Sequence, residues 1–70
     1  MKLITSDLPL AAVVSMEVPI TSHEMKGKQA VFTFDDERAM YIKERYMLGQ
    51  CSVEPQRFFN QIKTLKNLCS

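Results

Sequence analysis

Chemistry in a chain of 70 residues must come from few side chains, and this one has one His, two Cys and eight Asp or Glu. A cysteine nucleophile needs a base beside it and donors for the charge that develops in the reaction. His23 with Cys51 is the pairing to weigh. No glycine pair or strained elbow accompanies Cys51, and His23 falls in a weakly patterned stretch, so nothing local builds a dyad. Asp35-Asp36-Glu37 sets three carboxylates in a row. A hard cation wants several oxygens around one point. Consecutive acids at a helix start instead cap free N–H groups and complement the helix dipole, and the spacing matches no calcium loop. Gly27 and Gly49 lie too far apart for a phosphate-cradling loop. Cys51 and Cys69, eighteen apart, match no zinc or redox spacing. The expectation is a domain that is not an enzyme, with no catalytic residue, metal or cofactor.

Binding is the remaining chemistry, and two sets of residues offer it. Residues 1–54 hold six basic and eight acidic groups, whereas 55–70 hold Arg57, Lys63 and Lys66 and no acid. With Phe59 near Lys63 and Lys66, this basic C-terminal segment offers cations for phosphates and a ring for a base. Three charges and a pI near 7.8 are a small footprint for nucleic acid. The other set is Met40, Tyr41, Lys43, Met47 and Leu48, apolar beyond what a single core face requires. Methionine-rich faces adapt well to protein partners.

The elements that must position these residues follow from their periodicities. Residues 2–5 read as a short edge strand. Ser6 is placed to cap a helix running to about Met16, with Pro9 early enough to be tolerated. That helix is apolar on every side, from Leu8, Ala11 and Ala12 round to Leu10, Val13, Val14 and Met16. It calls for burial all round, either by the sheet and the C-terminal helix or by a partner chain. Pro19 ends the stretch. Residues 20–25 and 29–34 bracket Met25-Lys26-Gly27-Lys28 as a hairpin with Gly27 at a positive φ. In its second strand Ala30, Phe32 and Phe34 alternate with Gln29, Val31 and Thr33, while the strand from Ile20 reads as an edge. Asp35 or Asp36 caps a second helix over about 36–48, stopped by Gly49, with Ala39, Ile42 and Tyr46 as its core stripe. A short strand at 50–53 leads to a third helix from Pro55, with Phe58, Ile62, Leu65 and Cys69 inward. The predicted fold is α+β: a small antiparallel sheet, made of the hairpin and the N-terminal edge strand, packed by three helices in the order β-α-β-β-α-(β)-α.

This order and a set of short motifs resemble a small family of bacterial, archaeal and phage domains of unknown function. The residues that carry the resemblance are Ser6-Asp7-Leu8, Leu10-Ala11-Ala12, Phe32-Thr33-Phe34-Asp35, Tyr46, Gly49, Val53-Glu54-Pro55, Phe58 and Leu65-Lys66-Asn67-Leu68, spanning nearly the whole chain. Where members of that family often carry a Gly after the first helix, this chain has Met16-Glu17-Val18. The resemblance implies a fold and a frequent association with phages or mobile elements. It implies no activity.

Size and composition set the outer limits. The formal charge is +1, and 46% of residues are hydrophobic against 24% charged, a globular rather than a disordered balance. The length suits one domain over 1–70 with a modest stability margin, better matched to a binding surface than to a deep catalytic pocket. No apolar run approaches the ~20 residues of a membrane span. After Met1-Lys2-Leu3-Ile4, Asp7 and Pro9 interrupt any secretory apolar region. The expectation is a cytoplasmic domain with free thiols, no membrane partner, and a protein partner that includes a second copy of itself. The alternative is a nucleic-acid-binding accessory protein using Arg57, Phe59, Lys63 and Lys66.

Overall fold

The computed structural model describes residues 2–68. Six elements follow one another: β1 (Leu3–Thr5), α1 (Leu8–Ser15), β2 (Ser22–Lys26), β3 (Gln29–Phe34), α2 (Glu37–Met47) and α3 (Pro55–Leu68). The three strands form one antiparallel sheet in the order β1-β3-β2, giving an α+β fold. β3 is central because it alone carries two large apolar residues on one face. Phe32 and Phe34 are fully buried. Leu3 pairs with Phe34 and joins their face, whereas Ile4 pairs with Thr33 and stands on the outer side, exposed. β2 is an exposed edge along its whole length. Its Glu24 and Lys26 form a surface ion pair at 3.7 Å, and charges of this kind discourage pairing with another strand.

The hairpin is shorter than the sequence pattern suggested. Lys26 pairs with Gln29, so the turn is Gly27-Lys28 alone. Gly27 has φ +63 and no described non-glycine residue has positive φ, the sign pattern of a II′ turn with Gly first. β2 starts at Ser22 rather than Ile20, with the chain before it held beside β3 by a single backbone bond from Thr21. Ile20 packs against the core. Thr21 donates its N–H to the Thr33 carbonyl at 2.8 Å and accepts the Asp35 N–H on Oγ1 at 2.9 Å.

The cap of α1 is Asp7, not Ser6. Asp7 has extended backbone, its Oδ1 accepts the Leu10 N–H at 3.2 Å and its carbonyl accepts the Ala11 N–H at 2.9 Å. A cap satisfies the N–H two or three residues on, and the residue three after Ser6 is Pro9, which has no N–H to give. Leu10, Ala11, Ala12, Val13 and Val14 are all buried. α1 touches β1, α2 and α3, so its flanks are covered within the chain. Gln61 on α3 adds a polar tie, donating to Ser15 Oγ at 2.8 Å while that hydroxyl donates to the Ala12 carbonyl.

α3 starts as its Pro55 suggests. Glu54 caps it, accepting the Arg57 N–H on Oε2 at 2.8 Å and the Phe58 N–H on its carbonyl at 3.0 Å. Leu65 is fully buried, with Phe58 and Ile62 packed beside it. Cys69, the last residue of the expected stripe, lies outside the described residues. The short strand expected at 50–53 does not form. Cys51 and Val53 face the core with Ser52 exposed between them, so the alternation is present. The segment lies against α1, α2 and α3, however, where no strand edge is available to complete a ladder.

Candidate functional site

α2 positions the first candidate set, and both of its ends are locally determined. At the start, Asp36 Oδ1 accepts the Arg38 N–H at 2.9 Å, and the Arg38 guanidinium closes back on the same carboxylate at 2.9 Å. That bond holds the Asp36 carboxyl below its ordinary value and the Arg38 guanidinium above its own. At the end, Gly49 has φ +72, Gln50 donates to the Arg45 carbonyl at 2.9 Å and Gly49 donates to the Tyr46 carbonyl at 3.1 Å. This pair of bonds is a Schellman motif, and its left-handed residue is cheapest as glycine.

Between those ends α2 has two apolar faces. Ala39 and Ile42 are buried, with Tyr46 packed beside them. At about 100° per residue, the direction opposite that stripe passes between Met40 and Met47 on one side and Tyr41 and Leu48 on the other. Tyr41 is 62% exposed, Met47 71% and Leu48 69%. Met40 and Lys43 are half-buried, Met40 resting its stem on the core. All five predicted residues, with Glu44 between them, line one open groove of about 480 Å³. The Arg45 guanidinium lies 5.9 Å from the Tyr41 ring centroid. Glu44 is the residue the apolar pattern passes over, since a glutamate on a solvent-facing helix ordinarily signals nothing.

The second candidate set does not stay together. Phe59 is 65% exposed, and Lys63 and Lys66 are exposed on the same flank of α3. Arg57 lies about 120–180° around the helix from all three. It borders a different feature, a cleft of about 280 Å³ between the end of α1, α2, the 51–54 connection and the start of α3. Buried Val13 and Ile42 line that cleft beside half-buried Cys51, and its charged residues are Glu17, Glu54, Arg45 and Arg57. Two acids against two bases give it no net preference for an anion or a cation. Sequence reasoning misses the cleft because its lining comes from four separate segments with no shared period.

The remaining candidates are dispersed. His23 is exposed on β2, which packs on β3, whereas Cys51 sits among the helices, and no hydrogen bond joins them. Asp35, Asp36 and Glu37 do not converge: Asp36 is engaged by Arg38, and Asp35 is held by its backbone at Thr21. Among the described residues no three His, Cys, Asp or Glu side chains gather where a metal would sit. No described helix is long and apolar enough to cross a membrane.

Fold and site together define a small α+β domain with an apolar groove on its second helix. No family model, curated protein or solved structure matches the chain.

Proposed function

We propose that this chain is a small protein-binding module, without catalytic chemistry of its own, that docks its partner on the outer face of α2. The observation that carries this reading is the groove lined by Met40, Tyr41, Lys43, Glu44, Met47 and Leu48. An apolar face opposite a helix's core face is not required by the core, and contiguous exposed apolar surface is a mark of interaction sites. The residue types agree: methionines that repack, a tyrosine with a polar tip, and charges at the centre. The apolar surplus of α1 gives no support, because the chain itself buries it. A cytoplasmic setting suits the free thiol of Cys51. The resemblance to phage-associated domains extends the proposal to a modulator of a host protein.

The test compares the tagged wild-type chain with the double variant Lys43→Glu, Met47→Asp in nuclease-treated lysate of the cells that encode it. One protein retained at near-equal amounts by the wild type and lost by the variant is the expected result, with both chains showing the same thermal melt. Equal retention by the two would remove this face from consideration.

A second reading has one observation in its favour, the exposed Phe59 ring on the flank of α3 that carries Lys63 and Lys66. That flank would serve nucleic-acid binding, with Arg57 standing apart from it. Affinity carried by phosphates falls steeply as salt rises, whereas an apolar protein interface changes little. A salt titration with single-stranded DNA separates the two readings.

A further inference from the structure

We infer that the cleft beside Cys51 takes an extended peptide, which pairs with residues 51–53 as a strand pairs with a sheet edge. This inference is independent of the outer α2 face. Residues 51–53 carry the side-chain pattern of a strand without a partner strand. Cys51 and Val53 face the core, and Ser52 between them is exposed. Among the described residues, no main-chain N–H or C=O of these three has a hydrogen-bond partner. The bonds on either side stop short of them: Gln50 donates to the Arg45 carbonyl, and the Glu54 carbonyl accepts from Phe58. Every main-chain donor and acceptor of the segment is therefore left to water, and each seeks a partner. The same three residues form one wall of the cleft.

The rest of the cleft narrows the kind of peptide. Its volume of about 280 Å³ lies just below the roughly 300–1,000 Å³ of small-molecule sites, room for a side chain or two and not for a folded surface. Val13 and Ile42, both buried, make a floor that suits aliphatic residues. Glu17, Glu54, Arg45 and Arg57 line it too, and among the described residues none of the four is in an ion pair. Charges of both signs suit a peptide in which aliphatic residues alternate with an acid and a base. With the period of two that a strand imposes, its aliphatic face turns to the floor and its charged face to the rim and water. A peptide fits better than a compact metabolite, because only a backbone repeats donors and acceptors at strand spacing. In strand addition those main-chain bonds supply the affinity and the alternate side chains the choice.

Capped pentapeptides of the form Xaa-Glu-Xaa-Lys-Xaa, with Ala, Val, Leu or Ile as Xaa, test this when titrated into the ¹⁵N-labelled chain. At least one should bind with a dissociation constant of about 0.1–1 mM, the strength of a few main-chain bonds. The amide resonances of Cys51, Ser52 and Val53 should move most. Two N-methylated forms of the binder then decide whether a ladder forms, since alternate N–H groups of an extended peptide point to opposite edges. Methylating the edge that faces the protein should weaken binding at least tenfold, and methylating the other should leave it within about twofold. Equal affinity of the two forms, whether kept or lost, overturns the inference. So does a set of four peptides that leaves residues 51–53 unmoved at about 5 mM, well above the expected dissociation constant. Movement at Tyr41, Met47 and Leu48 in place of 51–53 also overturns it, and assigns the peptide to the outer face of α2.

Discussion

α1 and α2 both carry more apolar residues than one core-facing stripe needs, and the fold treats them in opposite ways. α1 is short, lies among β1, α2 and α3, and has five consecutive residues removed from water. α2 lies at the outside of the same helical layer and buries Ala39 and Ile42 while its far face stays open. The same compositional signal therefore means core in one helix and candidate interface in the other. What separates them is the number of sides on which a neighbour is present. Six elements have enough surface to enclose one helix, and in a domain of this size the enclosed helix leaves its neighbours with outward faces.

Substitutions sharpen the contrast, beginning with the largest effect. Val14→Asp puts an unpaired carboxylate at a fully buried site, and desolvating a charge exceeds the whole stability of a domain this small. The expected outcome is an unfolded chain by circular dichroism, and a cooperative melt near the wild-type temperature would contradict the enclosed position of α1. A matched pair comes next. Leu10→Ala should cost about 2–5 kcal/mol in urea unfolding, by lost transfer energy and the cavity left behind. Leu48→Ala, the same chemical deletion on the open face, should stay within about 0.5 kcal/mol. Similar costs for the two would erase the distinction drawn between the helices.

The smallest effect lies at the start of α2. The Asp36 carboxyl is held below its ordinary value chiefly by its bond to Arg38. A group whose folded value is depressed adds stability above its unfolded value and loses it as pH falls through the folded one. The wild type should therefore lose some stability on the acid side. Asp36→Asn keeps an N-cap but removes the titration, so its melting temperature should depend less steeply on acid pH. Parallel acid titrations of the two proteins would count against the Asp36–Arg38 pairing.

Much of this was readable from residue types. The Phe32 and Phe34 alternation marks β3, Gly27 marks the hairpin turn, and the Asp35-Asp36 pair, of which the structure selects Asp36, brackets α2 with Gly49, because strand period, turn dihedrals and helix caps are set within a few residues. The α2 groove was readable too, since Met40, Tyr41, Met47 and Leu48 fall off the core stripe by spacing alone. The separation of Arg57 from Phe59, Lys63 and Lys66 also follows from helical spacing, once direction around the helix is weighed beside charge. The cap at Asp7 rather than Ser6 turns on a one-residue offset, which needs the path of the chain out of β1.

Local order, then, was the sequence's contribution: where each helix and strand runs, what stops it, and which residues have no place in its core stripe. Only the tertiary structure decided how those pieces cover one another. It enclosed α1, left the far side of α2 open, kept 50–53 out of the sheet and assembled the cleft beside Cys51 from four separate segments. The physical reason is that caps and periods depend on neighbours in the chain, whereas burial depends on neighbours in space, and a single helix's pattern records only that its residues avoid water, not what shields them.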